Sequence, residues 1–108
     1  MEESQHEWSL AEQQLAREIF DRAYEREITA LVKDVRTRSS TLERIEDLWQ
    51  LHDFLSAKRH EIDGKYDYQY SVLLFVFARL VRDGWLHLNE LEQLNTDKLS
   101  KIKALTRM

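Results

Sequence analysis

The side chains best suited to chemistry lie together in residues 47–66, which the spacing of apolar residues predicts to be one helix. At about 100° per residue, one flank of this helix, roughly a third of its circumference, carries polar and aromatic side chains. Imidazoles and carboxylates can bind a metal or transfer protons, whereas Trp and Arg often anchor a protein partner. The flank holds Trp49, His52, Asp53, Ser56, Arg59, His60 and Asp63.

A metal site would start from His52 and Asp53, because such a His-Asp pair supplies two adjacent ligands in metal phosphohydrolases. Those enzymes need further His and Asp ligands from other helices, in a domain usually larger than this one. Adjacent residues on a straight helix also point about 100° apart, so they do not easily share one ion. His6 and His87 have no ligand-like spacing, and the chain has no Cys. We therefore expect no metal and no cofactor.

Acid–base catalysis would use Asp53 with His60, which lie on the same helical face. Their separation along the helix is about 10 Å, which is beyond direct hydrogen-bond reach. The sequence has no glycine-rich phosphate loop and no Ser or Cys nucleophile motif. We therefore expect no catalytic residues, no small-molecule substrate and no enzymatic activity.

Docking of a protein partner is the third alternative for this flank. Trp49 would be either a filler between helices, with its indole N–H bonded to an acceptor, or an anchor for a partner. Its position beside His52, Asp53 and Arg59 favours the anchor. Pairing of Asp53 with Arg59, across the helix or across a dimer seam, remains open as a purely structural role.

Composition predicts a single small all-α domain that does not bind nucleic acid. The chain has 108 residues, 33% of them charged, with no Pro and two Gly. Its net charge of −4 argues against electrostatic attraction to nucleic acid. The absence of Cys suits a reducing compartment. The acidic N-terminus does not resemble a signal peptide. The longest apolar run, residues 72–78, is too short to span a membrane. We expect a soluble intracellular protein.

Two long helices are predicted first. Ser9 and Glu12 form a capping box that begins a helix ending near Arg36, and residues 40–43 form a second capping box. The first helix, some 40 Å long, exceeds the width of a compact domain of this size, which suggests a dimer. The second helix runs to Gly64 as a left-handed cap. Its apolar stripe is Leu48, Leu51, Leu55 and Ile62.

The rest of the chain predicts smaller helices. One spans about residues 69–83 and is closed by Gly84; its apolar run should be buried on every side, although Phe75 and Phe77 point to different faces. Two short helices follow, near residues 88–94 and from Thr96, as N-cap, to the end. The basic tail, residues 98–107, is either a solvated amphipathic helix or a contact for an acidic partner.

Three segments resemble the fluorescence recovery protein family of cyanobacteria. The first, residues 47–67, is Asp-Leu-Trp-Gln-Leu-His-Asp-Phe-Leu-Ser-Ala-Lys-Arg-His-Glu-Ile-Asp-Gly-Lys-Tyr-Asp. The others are Ser-Val-Leu-Leu-Phe-Val-Phe-Ala at residues 71–78 and Lys-Ile-Lys-Ala-Leu at residues 101–105. The resemblance covers essentially the whole chain and is loosest over the N-terminal thirty residues.

The resemblance implies an all-helical homodimer, with long helices in residues 1–64 as the dimerisation body and residues 65–108 as a small head. It implies a regulator that binds the photoactivated red form of the orange carotenoid protein, hastens its return to the orange form and promotes its release from the phycobilisome. That role would end non-photochemical quenching, in the cytoplasm or at the cytoplasmic face of the thylakoid membrane.

The family's functional positions correspond to particular residues of this chain. The resemblance implies partner contacts at Trp49, His52, Asp53 and Arg59, with further contacts on the head at Phe75 and Lys101. It implies dimer contacts at Val32 and Leu48, and it assigns no role to Tyr68, Tyr70 or Trp85. A dimeric helical adaptor for an unrelated protein partner would fit the composition and periodicity equally well, and a pull-down without a carotenoid protein would favour it.

Overall fold

The computed structural model describes residues 7–108. Four α-helices and one short 3₁₀ helix make up this part of the chain, which contains no strand, so the predicted all-α fold is confirmed. No helix within it is long and apolar enough to cross a bilayer. The elements are α1 Leu10–Ser39, α2 Ile45–Lys65, α3 Leu73–Arg82, the 3₁₀ helix Leu88–Leu91 and α4 Thr96–Thr106.

The start of α1 carries the predicted capping box. Ser9 Oγ accepts a hydrogen bond from the Glu12 backbone N–H at 3.1 Å, as expected of an N-cap, and the Glu12 carboxylate accepts in return from the Ser9 backbone N–H. The same carboxylate also accepts from the Asn95 backbone N–H and from Lys98 Nζ, both at 2.9 Å. Glu12 therefore caps α1 and also joins it to the later part of the chain.

The ends of α2 differ from the prediction. Residues 40–43 do not form a capping box; Ser40 closes α1, and α2 begins at Ile45. The Asp47 carboxylate accepts the N–H groups of Glu43 and Arg44, both at 3.1 Å, and supplies the N-terminal hydrogen bonds instead. At the other end, Gly64 has a right-handed helical conformation inside α2, so its predicted left-handed cap is wrong.

The second glycine behaves as predicted, since Gly84 has φ +89° directly after α3. α3 begins at Leu73, later than expected, because residues 67–72 form hydrogen-bonded turns. Phe77 is fully buried, whereas Phe75 is 60% exposed. The expected difference between the two rings is confirmed, and the expectation that this run is buried on every side is wrong.

The C-terminal helices also begin and end differently from the prediction. The helix expected at residues 88–94 is a single 3₁₀ turn, Leu88–Leu91. The N-cap of α4 is Asn95 rather than Thr96, because Asn95 Oδ1 accepts the Lys98 backbone N–H at 2.9 Å.

The hydrophobic core lies at one end of the molecule, where the first half of α1 packs against the segments that follow α2. We call this region the head core. Tyr66 and Tyr68 extend it with edge-on contacts to Phe20, at centroid distances of 5.4 and 4.9 Å. The largest fully buried side chains are Ile19, Leu73, Phe77, Leu80, Leu86, Leu91 and Ile102.

The second half of α1 and all of α2 run antiparallel and form a thin hairpin. Two contacts define the pairing: the Arg38 guanidinium lies 3.7 Å from the centroid of the Phe54 ring, and Lys65 Nζ lies 2.8 Å from Glu27 Oε1. The molecule measures 59 × 26 × 22 Å, because the hairpin extends away from the head core. The division into a dimerisation body, residues 1–64, and a head, residues 65–108, remains a prediction.

Ion pairs of Glu90 connect the 3₁₀ helix to α1. Its carboxylate lies 2.9 Å from Arg26 Nη1 and 3.4 Å from Arg22 Nη1, and it also accepts the His87 backbone N–H at 2.9 Å. The hydrogen bond from Arg26, together with these other contacts, lowers the pKa of Glu90 from 4.5 to about 2. Between pH 4.5 and about 2, the Glu90 carboxylate therefore stays ionised in the folded chain, whereas in the unfolded chain the same carboxylate is mostly protonated.

We predict that Glu90 contributes to acid resistance. Because its pKa is lower in the folded chain, its contribution is complete above pH 4.5 and is lost as the pH falls towards about 2. Glu90→Gln should lower the free energy of unfolding at neutral pH and flatten its fall between these pH values. Urea unfolding followed by circular dichroism across that range measures both effects. An unchanged slope in the variant would contradict the prediction.

Candidate partner-binding surfaces

The four predicted partner residues of α2 form one exposed surface, the α2 patch, defined as Trp49, His52, Asp53 and Arg59. Their spacing places them along one side of the helix. Trp49 is 57% exposed and the Arg59 side chain is 85% exposed. Trp49 therefore does not fill a gap between helices of the same chain. The structure brings these four residues together as the sequence predicts.

The side chains of the α2 patch contact one another only weakly. The Trp49 and His52 rings are perpendicular, with centroids 6.5 Å apart, and His52 Nδ1 lies 3.3 Å from Asp53 Oδ1. Arg59 Nε lies 3.7 Å from Asp63 Oδ2, so within the chain Arg59 pairs with Asp63 rather than with Asp53. Such exposed pairs contribute about 0–1 kcal/mol. A protein partner could therefore form ion pairs with these side chains and lose little free energy by breaking the existing ones.

Apolar side chains border the α2 patch and are also exposed. Of the predicted stripe, only Ile62 is buried; Leu48 and Leu55 face solvent, and Leu51 is half-buried. Ile45 on α2 and Val32 on α1 add to the exposed apolar surface. The stripe that should seal α2 against a neighbour is therefore largely uncovered in a single chain. An uncovered apolar face of this kind marks an interaction surface.

The predicted head residues lie on α3 and α4, apart from the α2 patch in the fold. The exposed ring of Phe75 lines a shallow cleft of about 220 Å³ together with Lys65, Val72, Val76 and other residues at the end of α2. Lys101 is half-buried on α4. α3 and α4 pack together, and Arg82 Nη1 donates a hydrogen bond to the Leu105 carbonyl at 3.4 Å. The packing of α3 and α4 thus places Phe75 and Lys101 on the same small head.

A buried charge cluster at the junction of α1, α2 and α3 was missed by sequence reasoning. Its buried members are Glu27 and Lys65, and the half-buried Tyr66 and the exposed Asp83 contact them from its edge. Burial, and then the hydrogen bond that the hydroxyl donates to Glu27, raise the pKa of Tyr66. A signal was present in the sequence, because the stripe Leu15, Ile19, Ala23 reaches Glu27 at its next position. Among residues 7–108, no group of three or more His, Cys, Asp or Glu side chains is placed to hold a metal ion.

Comparison with known proteins identifies the family. The family model for the photoprotection regulator fluorescence recovery protein matches residues 8–106. The chain belongs to this family. It is 54% identical over 101 residues to the fluorescence recovery protein of Synechocystis sp. (strain ATCC 27184 / PCC 6803 / Kazusa), covering 94% of this chain and 93% of that protein. The resemblance seen in the sequence is thereby confirmed.

Solved structures of fluorescence recovery proteins have the same fold. The protein from Fremyella diplosiphon is 61% identical, with a TM-score of 0.92 over 94% of this chain and all of that one. The protein from Synechocystis sp. PCC 6803 is 54% identical, with the same TM-score and coverage. The four-helix architecture described above is therefore that of the family, whose members are photoprotection regulators.

Phe75 and Phe77 provide a matched test of which aromatic ring the fold requires. Phe77→Ala should lower the free energy of unfolding by about 3–5 kcal/mol, because it leaves a cavity in the head core. Phe75→Ala should change it by less than about 1 kcal/mol, because the ring is mostly in solvent. Urea unfolding of both variants measures the difference. Equal losses of stability would show that Phe75 has a structural role.

Proposed function

We propose that the protein is a non-enzymatic regulator that binds the photoactivated red form of the orange carotenoid protein. Binding accelerates return to the orange form, promotes detachment from the phycobilisome and so ends non-photochemical quenching. Membership of a family of photoprotection regulators supports this role. The structural observation that carries the proposal is the exposure of the α2 patch, since folding of the single chain leaves Trp49 and Arg59 uncovered.

The composition of the α2 patch suits recognition of a protein. Trp and Arg are the residue types that most often dominate binding energy at protein interfaces. Here Trp49 supplies a large rigid surface, and Arg59 and Asp53 supply charges of opposite sign on the same helix face. A complementary partner surface would replace the weak intrahelical contacts of His52 and Arg59 with desolvated ones. We infer that the α2 patch is the principal docking surface.

Acceleration of recovery imposes a requirement beyond tight binding. A protein that stabilised the red form alone would slow its conversion, so the barrier state for domain reassembly must be stabilised more. Two separate docking surfaces meet this requirement if the α2 patch and the head residues Phe75 and Lys101 each hold one domain of the carotenoid protein. Holding both domains converts a slow encounter into one at high effective concentration. The proposed mechanism is therefore scaffolding, without covalent chemistry.

Selectivity for the red form follows from what each state exposes. A ligand shifts an equilibrium only by its difference in affinity for the two states. We infer that the surface recognised by the α2 patch is accessible in the red form and covered in the orange form. The regulator would then leave when the orange form is complete and be free for another cycle.

We further propose that the protein acts as a homodimer in which Val32 and Leu48 lie at the interface. Both side chains are exposed in the single chain, and Ile45 and Leu55 extend the apolar surface around Leu48. A second copy would cover this surface with the same one, as in a two-fold symmetric dimer. Because Leu48 adjoins Trp49, changes at the dimer interface would also affect partner binding.

The docking proposal predicts that Asp53→Ala and Arg59→Ala slow recovery without unfolding the protein. At limiting regulator, each should reduce the acceleration of dark recovery by on the order of tenfold, the equivalent of about 1.4 kcal/mol. Absorbance recovery of the orange form measures the rate, and circular dichroism measures helicity. Arg44→Ala is the matched control, because Arg44 is exposed at the start of α2 outside the patch. Wild-type rates in both test variants, or a collapse of their helicity, would contradict the docking role.

The dimer proposal predicts that Leu48→Lys dissociates the homodimer. A lysine on each copy would place like charges at an interface that excludes water. Light scattering coupled to size exclusion should show a monomer at micromolar concentration. Leu10→Lys is the matched control, since Leu10 is exposed at the other end of the molecule and should leave the mass unchanged. A dimeric Leu48→Lys variant would place the interface elsewhere.

A further inference from the structure

α2 carries the docking patch but has few contacts that fix its position. Residues 45–61 of α2 contain no buried side chain, and only Ile62 and Lys65 are buried. A half-open cleft of about 180 Å³ lies where α1, α2 and the head meet, and Leu31 of α1, Ile62 of α2 and Trp85 of the head are among its lining residues. Within one chain, interlocking apolar side chains therefore do little to hold α2 in one register on α1. Polar contacts must then help to specify where α2 lies, and they include the Arg38–Phe54 contact near the loop and the ion pair of Lys65 with Glu27.

The buried charge cluster is placed to do this. The Lys65 side chain is only 1% exposed, and its Nζ lies 2.8 Å from Glu27 Oε1 on α1 and 3.3 Å from Asp83 Oδ2 at the end of α3. The Tyr66 hydroxyl donates a second hydrogen bond, of 2.8 Å, to Glu27 Oε1. The last turn of α2 is thus bonded to α1 and to the head at one point.

A buried ion pair is better suited to specifying position than to adding stability. The cost of removing both charges from water offsets most of their attraction, so apolar replacements of the pair are often tolerated. The pair nevertheless favours one relative position of α1 and α2, because each buried charge needs its partner within hydrogen-bond distance. Sliding α2 by one helical turn, about 5.4 Å, would leave Lys65 and Glu27 without each other, and an unpaired buried charge is strongly disfavoured.

We propose that Glu27 and Lys65 are positioning residues whose ion pair fixes the register of α2 on α1. Through that register the pair sets the distance between the α2 patch and the head residues Phe75 and Lys101. The register can be measured without the carotenoid protein, whereas its consequence for recovery rests on the proposed function. The pair acts through the residues that it positions and has no direct contact with a partner.

Spin-label distances in the full chain test the register. The sequence has no Cys, so two introduced cysteines are the only labelling sites. Labels at Glu46 on α2 and Asn89 on the head report the position of α2, and labels at Arg36 on α1 and Asn89 serve as reference; all three residues are exposed. Dilution with unlabelled protein suppresses distances between copies. The unmodified cluster should give one narrow distribution for each labelled pair.

The variant Glu27→Gln/Lys65→Met removes both charges and keeps an acceptor for Tyr66. It should broaden or shift the distribution of distances between labels at Glu46 and Asn89. The distribution of distances between labels at Arg36 and Asn89 should stay narrow. The matched control is Glu12→Gln/Lys98→Met, which removes a buried ion pair of 2.9 Å between α1 and α4. That control should leave both distributions unchanged.

A Glu46–Asn89 distribution like that of the wild type in the folded variant would overturn the proposal. If the double variant does not fold, Glu27→Gln alone decides the question, because Lys65 then keeps Asp83 as its counter-ion. The single variant should broaden the same distribution to a smaller extent. An unchanged distribution in that variant would also overturn the proposal.

Recovery measurements separate this proposal from the proposed function. The Glu27→Gln/Lys65→Met variant should lose acceleration by on the order of tenfold, because its two docking surfaces are no longer held at one spacing. If the wild-type protein does not accelerate recovery, the proposed function is wrong. The spin-label distances still decide, independently of recovery, whether the ion pair fixes the register of α2. If the variant shows altered distances but full acceleration, the pair does not position the docking surfaces.

Discussion

α1 packs against two different sets of neighbours, because its 30 residues make a helix of about 45 Å. The head core needs only the first half of that length, where Ala16, Ile19, Phe20 and Ala23 are buried. The second half extends beyond the core and supports α2 along one side. One end of the chain is therefore well packed, while the other end presents exposed side chains on a stiff support. The α2 patch lies on the extended end, whereas the other candidate surface, with Phe75 and Lys101, lies on the outside of the packed head.

Carboxylates join α1 to the later parts of the chain at successive points. Glu12 on α1 accepts from Lys98 of α4, Glu90 of the 3₁₀ helix accepts from Arg26 of α1, and Glu27 of α1 accepts from Lys65 of α2. Two of these pairs contain a lysine that is almost completely buried. Separating such a pair leaves a charge buried without its partner, which is costly. We therefore infer that these pairs help to define how the helices are arranged.

Much of the fold could be predicted from the sequence, because helical periodicity and Gly84 are local signals. The positions of the helix ends were less predictable, since Asp47 and Asn95, rather than the residues that the sequence pattern indicates, supply the N-terminal hydrogen bonds of α2 and α4. Burial was also only partly predictable, as the exposed Phe75 in the apolar run of residues 72–78 shows. A periodic apolar stripe shows which side chains share a face, but it does not show whether that face is covered by the same chain, so Leu48 and Leu55 are exposed.

The candidate site was predictable in part. Periodicity placed Trp49, His52, Asp53 and Arg59 on one face of α2, and the structure agrees. Their assignment to a partner, with that of Phe75 and Lys101, comes from resemblance to the family and remains a prediction. The pairing of Glu27 with Lys65 was not predicted, because a charged residue that follows an apolar stripe normally indicates the end of that stripe. Only the fold shows that the two charges meet.

We propose that this protein acts as a reusable scaffold for recovery of the orange carotenoid protein. The most direct measurement is the rate of dark return to the orange form at decreasing ratios of regulator to carotenoid protein. A scaffold that leaves after each conversion should accelerate recovery of the whole population when it is far below equimolar. Acceleration limited to the fraction bound at once, or no acceleration at substoichiometric ratios, would contradict the account.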